Sequence, residues 1–446
     1  MTLNNSEAYL LCIEPTCAER YRIDERIYTC PRCGDLLDVQ YSFNLASSTA
    51  QTKDTFRERR AINTDLERSG VWRFRELLPF VCDFSRVITL SEGNTPIYRA
   101  PLSAEYAGLG ELRLKHQGLN PTGSFKDNGM TTGVTQAIAL GASAVACAST
   151  GNTSASMAAY AARAGLRAFV FIPADQVAYG KLSQSLEYGA RVIEIEGNFD
   201  DAMRLVRELA VETDLYLLNS INPFRLEGQK AIIIEMIEQC EWEPPDWIVL
   251  PGGNLGNASA FGKALKELKE LGFIDRMPRL AVIQAEGAAP FYELFRTERA
   301  ERKSLVPVAN PATLATAIRI GEPVSWKKAL RAIDWTNGVV ERVSEREIAD
   351  AKAVIGADGI GCEPASAATL AGIKWLVGSG TISKSDKVVG VLTGNLLKDP
   401  TYTIGYHTGE LKFEKSGVQQ TIEGRFTNKP LRAAANKEEI RRVLDI

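Results

Sequence analysis

The sequence predicts a two-lobed α/β fold, with mostly parallel sheets flanked by helices and a short ribbon-like extension of four cysteines in front. Three observations carry this. Short β-branched-rich runs alternate with Ala-rich helical patterns between Ala144 and Leu392, which means a mostly parallel sheet. The runs are apolar throughout rather than alternating, as in strands buried on both faces. Cys12, Cys17, Cys30 and Cys33 crowd together at the N-terminus, whereas Cys82, Cys147, Cys240 and Cys362 are scattered singly.

Taken in order, residues 1–41 hold a β-rich patch with two cysteine pairs. Residues 42–90 read as a linker or surface arm ending in a helix, because SSTAQTKDTFRERRAINTDLERSG contains no apolar run long enough for a core. Strands are expected at 144–148 (AVACA), 168–172 (AFVFI), 191–195 (RVIEI), 215–218, 247–250 (WIVL), 280–284 (LAVIQ) and 388–392 (VVGVL). Helices are expected at Thr153 to Ala164, Tyr179 to Tyr188, Phe199 to Glu212 and Ala258 to Leu271. A small lobe would span 118–224, and a large lobe 91–117 with 225–410. Residues 411–446 form a charged tail that covers the surface or meets a partner subunit.

Composition narrows the function. The chain has 446 residues, of which 45% are hydrophobic and 24% charged, as in a soluble globular enzyme. A formal charge of −3 gives no basic surplus for nucleic acid. With only 2 histidines, His116 and His407, a His triad or multi-His metal centre is excluded. The start MTLNNSEAYLLCIEP lacks the pattern of a signal peptide, and no apolar run is long enough for a membrane span. The cysteine usage points to the reducing cytosol.

Five segments carry chemistry. In GLNPTGSFKDNGM (118–130) a turn-forming run precedes Ser124, placed as a helix N-cap, and Lys126 in the first turn, where the helix dipole lowers an amine's pKa. STGNTSAS (149–156) follows a strand and opens a helix, an anion site built from free N–H groups and hydroxyls; its Asn152 offers an amide donor. PGGNLGN (251–257) is a strand-to-helix glycine loop that fits one small phosphate. It matches neither the dinucleotide fingerprint nor the P-loop. VLTGNLLKDP (391–400) puts Thr393 at a strand's carboxyl end, facing the cleft of an α/β fold. LLNSINPFRLEGQK (217–230) crowds Asn219, Ser220, Asn222 and Arg225 around a turn, and Arg225 could grip a phosphate bidentately. Each has an ordinary structural explanation of its own; their combination at strand ends is what is specific.

These segments in this order, with SEGNTPI at 91–97, resemble threonine synthase, a pyridoxal-phosphate enzyme of fold type II, over Ser91 to Gly409. The resemblance implies that Lys126 forms the Schiff base with pyridoxal 5'-phosphate and shuttles protons. It implies that Asn152 bonds the cofactor's 3-oxygen, that Gly252, Gly253, Asn254, Leu255, Gly256 and Asn257 hold its phosphate, and that Thr393 faces the pyridine nitrogen. Ser149, Thr150 and Thr153 would hold the substrate carboxylate, and Ser220 and Arg225 its phosphate. The implied reaction converts O-phospho-L-homoserine and water to L-threonine and phosphate, in a homodimer. Asn128 departs from the pattern, standing where many relatives carry Arg.

Cys12, Cys17, Cys30 and Cys33 follow C-x4-C-x12-C-x2-C, and their four thiolates would bind a structural Zn²⁺ with no open position for catalysis. Two alternatives remain. A dehydratase or β-replacing synthase shares the lysine and phosphate loop but needs no second anion clamp. A non-catalytic binding module would not need Lys126.

Overall fold

The computed structural model describes residues 7–45, 47–174, 179–197, 199–298, 302, 304–415 and 417–445; the first residues of the N-terminal stretch read above lie outside these. Among the described residues, three sheets of three or more strands organise the chain. The ribbon is antiparallel, in the order β2 (Arg20–Arg22), β1 (Glu7–Cys12), β3 (Leu37–Ser42). A six-stranded sheet runs β12 (Val339–Val343), β11 (Arg279–Ala285), β10 (Trp247–Pro251), β13 (Val388–Leu392), β5 (Leu112–His116), β4 (Ile97–Arg99), parallel except for β4 at its edge. A four-stranded parallel sheet runs β8 (Arg191–Ile195), β7 (Arg167–Pro173), β6 (Ala144–Ala148), β9 (Leu215–Leu217).

The orders explain where a ligand goes. In the small sheet the chain moves outward from β6 to β8, then returns to β9 on the other side of β6. In the large sheet it moves from β10 to β12, then returns to β13 on the other side of β10. Each reversal parts the loops leaving two neighbouring strands and opens a crevice at their carboxyl ends. The four loops so exposed begin at Ser149, Leu218, Gly252 and Thr393.

Every strand expected from the sequence is present within a residue or two. Three strands and a hairpin were not legible: β4, β5, β12 and the hairpin β14 (Lys412–Lys415) with β15 (Val418–Thr421). Charges masked two of them. LRLKH of β5 buries Lys115 against Glu235 at 2.7 Å, and VVERV of β12 contains Glu341 and Arg342.

Residues 42–90 are not a loose arm. Phe56, on the helix Thr49–Arg59, joins Phe74 and Leu77 in the core of the large lobe. Val71, Trp72, Leu78 and Phe80 pack with Leu10, Leu37 and Val39 of the ribbon and with Phe224. Several charges of this stretch are paired in the interior: Arg59 with Glu76 at 2.5 Å, Arg75 with Glu67 at 2.7 Å and Arg73 with Glu238 at 3.0 Å. The tail is mostly exposed, and its last helix, Lys437–Leu444, buries no residue. No helix among the described residues is long and apolar enough to cross a membrane.

Candidate functional site

A cleft of about 2460 Å³ lies between the two parallel sheets. It is lined by Lys126, Ser149, Thr150, Asn152, Thr153, Ser220, Arg225, Gly253, Asn254, Leu255, Gly256, Asn257 and Thr393, so five sequence segments meet in one space. Gly252 does not line it. Its N–H closes the ladder to Ile283 at 2.7 Å, and a Cβ there would stand 2.6 Å from Val282. This glycine serves strand packing rather than a ligand.

Lys126 is the first residue of the helix Lys126–Ala139. Ser124 is not its N-cap: that residue is Phe125, whose N–H is held by the Thr393 carbonyl at 2.9 Å, while Ser124 Oγ meets the Lys126 N–H only at 3.4 Å. The lysine is thereby fixed to the end of β13. Burial pushes its amine down to about 7; the charge of Arg225 adds to this and Glu363 opposes it. Asp127 holds the turn before it, accepting from Thr122 N–H at 2.7 Å, Thr122 Oγ1 at 2.6 Å and Ser156 Oγ at 2.5 Å.

Arg225 sits in the first turn of the helix Pro223–Gln239, 2% exposed. Its Nη1 donates to the Leu218 carbonyl at 2.9 Å, its Nε has no partner, and among the described residues no carboxylate pairs with it. Burial lowers its pKa to about 10. Two neighbours in the same turn are structural. Asn219 clamps the ends of β9 and β6 through two 3.0 Å bonds to Ala148, and Asn222 caps the helix at Phe224 N–H.

The two anion loops keep their helix N–H groups available. The helix Asn152–Ala164 starts at Gly151 and the helix Gly256–Glu270 at Leu255, neither with a side-chain cap, so their first-turn N–H groups await an acceptor. The second loop is held still: Leu255 adopts φ 63°, Asn254 Oδ1 accepts from Val324 N–H at 3.3 Å, and the Asn254 carbonyl accepts from Ser325 N–H at 3.2 Å. Beside it, the buried Asn257 Oδ1 and Gln229 Oε1 have no partner. A Cβ on Gly253 would press on the Ala317 carbonyl at 3.0 Å, so a side chain there would crowd the cradle. An unpaired amine and free helix N–H groups fit a phosphate-bearing aldehyde.

Sequence reasoning missed Glu363. It lines the cleft 4% exposed, accepting from Asn152 Nδ2 at 2.9 Å and Thr393 Oγ1 at 3.1 Å. The only signal was a Glu-Pro step before an Ala-rich helix, and glutamate is not a favoured cap. Lys398, also missed, reaches from the loop after β13 to Gln184 of the small lobe.

In the ribbon, Cys12 Sγ lies 3.4 Å from Cys33 Sγ and Cys17 Sγ 3.7 Å from Cys30 Sγ; all four sulfurs are within 4.8 Å of one another. A tetrahedral zinc with Zn–S bonds of about 2.3 Å has edges of about 3.8 Å, so the donor set fits that ion.

Residues 88–394 match the family model described as pyridoxal-phosphate dependent enzyme. The chain is 47% identical to the threonine synthase of Methanocaldococcus jannaschii, over 90% of this chain and 96% of that one. It is 48% identical to the Synechocystis threonine synthase, over 80% and 89%, and 38% identical to a chloroplastic threonine synthase of Arabidopsis thaliana, over 89% and 78%. Among solved structures, an L-serine ammonia-lyase from Rhizomucor miehei superposes with TM-score 0.59 at 22% identity, covering 70% of this chain and 98% of that one. Maize serine racemase gives 0.58 at 20%, covering 79% and 94%. These two share the fold.

Proposed function

Because the chain belongs to the pyridoxal-phosphate-dependent enzymes, and among them to the threonine synthases, we propose that its cleft converts O-phospho-L-homoserine and water to L-threonine and phosphate, as a carbon–oxygen lyase. The observation that carries the substrate is Arg225: a buried guanidinium with no carboxylate partner, close enough to Lys126 to depress it. Such a charge is costly unless a ligand supplies the anion. A hydroxy-amino acid would leave it unpaired, which favours the phosphorylated substrate over a dehydratase or β-replacing reaction.

When bound, pyridoxal phosphate supplies the electron sink that makes hydrogens on the substrate's Cα and Cβ removable. The residues divide the remaining work. The Gly253–Asn257 loop would hold the cofactor phosphate, Asn152 its 3-oxygen, Thr393 its ring nitrogen and Lys126 its aldehyde carbon. Ser149, Thr150 and Thr153, at a helix N-terminus, orient the substrate carboxylate. Ser220 and Arg225 hold the departing phosphate and offset its charge. The Lys126 amine, lowered to about 7 and so partly neutral near that pH, takes the proton from Cα, hands it back to the activated substrate, and is then free to take one from Cβ. Closure of the small lobe on the large one would keep water out until it adds at Cβ.

The four ribbon cysteines would hold a structural Zn²⁺. Metal analysis of the purified chain should give about one zinc per chain, lost in Cys30→Ser. A cytosolic homodimer is the expected assembly.

The direct test is to supply O-phospho-L-homoserine and pyridoxal phosphate and measure phosphate and threonine together. Equal release of both is expected. Phosphate with 2-oxobutyrate would mean elimination without productive water addition. No phosphate, from a chain that carries the cofactor, would move the substrate to the hydroxy-amino acids.

A further inference from the structure

Glu363 is the N-cap residue of the helix Pro364–Gly378, yet its side chain makes no cap bond to its own helix. It turns into the cleft, where Oε2 accepts from Asn152 on the small lobe at 2.9 Å and Oε1 lies 3.1 Å from Thr393 Oγ1 on the large lobe. The backbone around it is fixed. Glu363 N–H donates to the Gly394 carbonyl at 3.1 Å, and Ser366 Oγ, one turn on, accepts from the N–H groups of Thr393 at 2.8 Å and Gly394 at 3.0 Å. A Cβ on Gly394 would stand 2.3 Å from the carboxyl carbon, so this glycine makes the room the carboxyl occupies. One carboxyl therefore joins the two side chains proposed above to grip opposite edges of the cofactor ring, and joins the two lobes in doing so.

Resting on that reading of the cleft, we propose that Glu363 is a positioning residue for the cofactor ring, its neutral carboxyl directing the Asn152 amide and the Thr393 hydroxyl toward their ring atoms. A hydroxyl has one proton. If Glu363 were ionised, Thr393 would spend that proton on the carboxylate and have none for a ring nitrogen. As a neutral acid Glu363 donates to Thr393 Oγ1, freeing the hydroxyl proton, while its carbonyl oxygen still accepts from Asn152. The neutral form also avoids setting two anions, carboxylate and 3-oxygen, on either side of one amide. Burial raises the Glu363 pKa; the bonds from Asn152 and Thr393 and the charges of Lys398 and Lys126 pull against it. A carboxyl group thus lies one hydroxyl away from the place proposed for the ring nitrogen.

The test loads the parent, Glu363→Gln and Glu363→Ala with pyridoxal phosphate and follows the absorbance band of the bound cofactor. The glutamine amide can donate to Thr393 and accept from Asn152, so Glu363→Gln should keep the band and bind within about threefold of the parent. Glu363→Ala should bind roughly 10-fold or more weakly with a shifted band, since Asn152 and the buried Thr393 lose their partner. If that variant fails to fold, Glu363→Asp, which withdraws the carboxyl by one carbon, should show the same weakening and shift. Unchanged or tighter binding by the folded variants would overturn the role, the carboxyl then merely filling empty space. A shifted band in Glu363→Gln would overturn the neutral form. A parent that takes up no pyridoxal phosphate would strike down the cofactor reading itself.

Discussion

Where the ribbon meets the large lobe, Lys230, Lys263 and Lys328 are as deeply buried as Arg225 in the cleft, yet each of them touches a carboxylate and Arg225 touches none. Lys230 lies 2.7 Å from Glu227 and 2.5 Å from Glu267, and Lys263 pairs with Glu227. Lys328 lies 2.9 Å from Asp38 and donates to the Leu37 carbonyl at 2.6 Å. Tyr41 Oη adds a 2.7 Å bond to Glu227. Burial alone would raise the Asp38 carboxyl, but Lys328 and Arg331 hold it well below the usual carboxylate range. In this region charge is balanced within the protein, and its work is to dock the ribbon on the helices Pro223–Gln239 and Trp326–Trp335. In the cleft, Lys126 and Arg225 are left unbalanced within ion-pair distance. Closed networks belong to the fold, whereas open ones wait for a ligand's charge.

The strongest way to break this comparison is to remove an open cation and find no loss of chemistry. Lys126→Ala should lower threonine formation by about 10³-fold or more, as expected for loss of the proton-transferring amine, without lowering the thermal midpoint of the cofactor-free chain. The counterpart is to open a closed network. Asp38→Ala leaves Lys328 buried and unpaired, and should destabilise the chain by on the order of 3–5 kcal/mol, read by denaturant unfolding, with turnover of the folded fraction retained. If Lys126→Ala unfolded the chain and Asp38→Ala did not, the distinction would be lost.

Arg225→Ala sharpens the same contrast by separating two anions. It should raise KM for O-phospho-L-homoserine by about 100-fold, the scale of a lost charge-assisted contact, and leave pyridoxal phosphate affinity within about threefold. Equal loss of both would place Arg225 at the cofactor instead of the substrate.

The same contrast bears on what a sequence reveals. The anion loops were legible because small polar and glycine residues punctuate apolar strands, and that punctuation is the loop's chemistry. The pairing of charges was not. The stretch 42–90 read as a surface arm because no apolar run in it is long enough for a core, yet its Arg59, Glu67, Arg73 and Glu76 meet one another or Glu238 inside. Lys115 hid a central strand in the same way. Glu363 went unseen for a related reason: its partners lie 211 and 30 residues away in the chain, and nothing local marks a glutamate that turns from its own helix into a cleft. Sequence shows which residues can carry charge, and only the folded chain shows which charges are already answered.

The smallest expected effect tests that statement at Lys126 without any ligand. The folded amine sits at about 7, below its ordinary 10.5. Between those values the unfolded chain binds a proton that the folded chain does not, so stability of the cofactor-free protein should rise with pH through this window. The slope attributable to one such group is at most about 1.4 kcal/mol per pH unit. Asp127, raised by burial to about 6, acts in the opposite sense but only at lower pH, and Arg225, at about 10, enters only at the top of the window. Unfolding free energies from about pH 7 to 9 should therefore climb in the parent relative to Lys126→Met, with the difference narrowing as pH rises. Parallel curves would mean that the folded amine titrates as it does in water, and that the cleft's lysine, like those under the ribbon, has its charge answered within the protein.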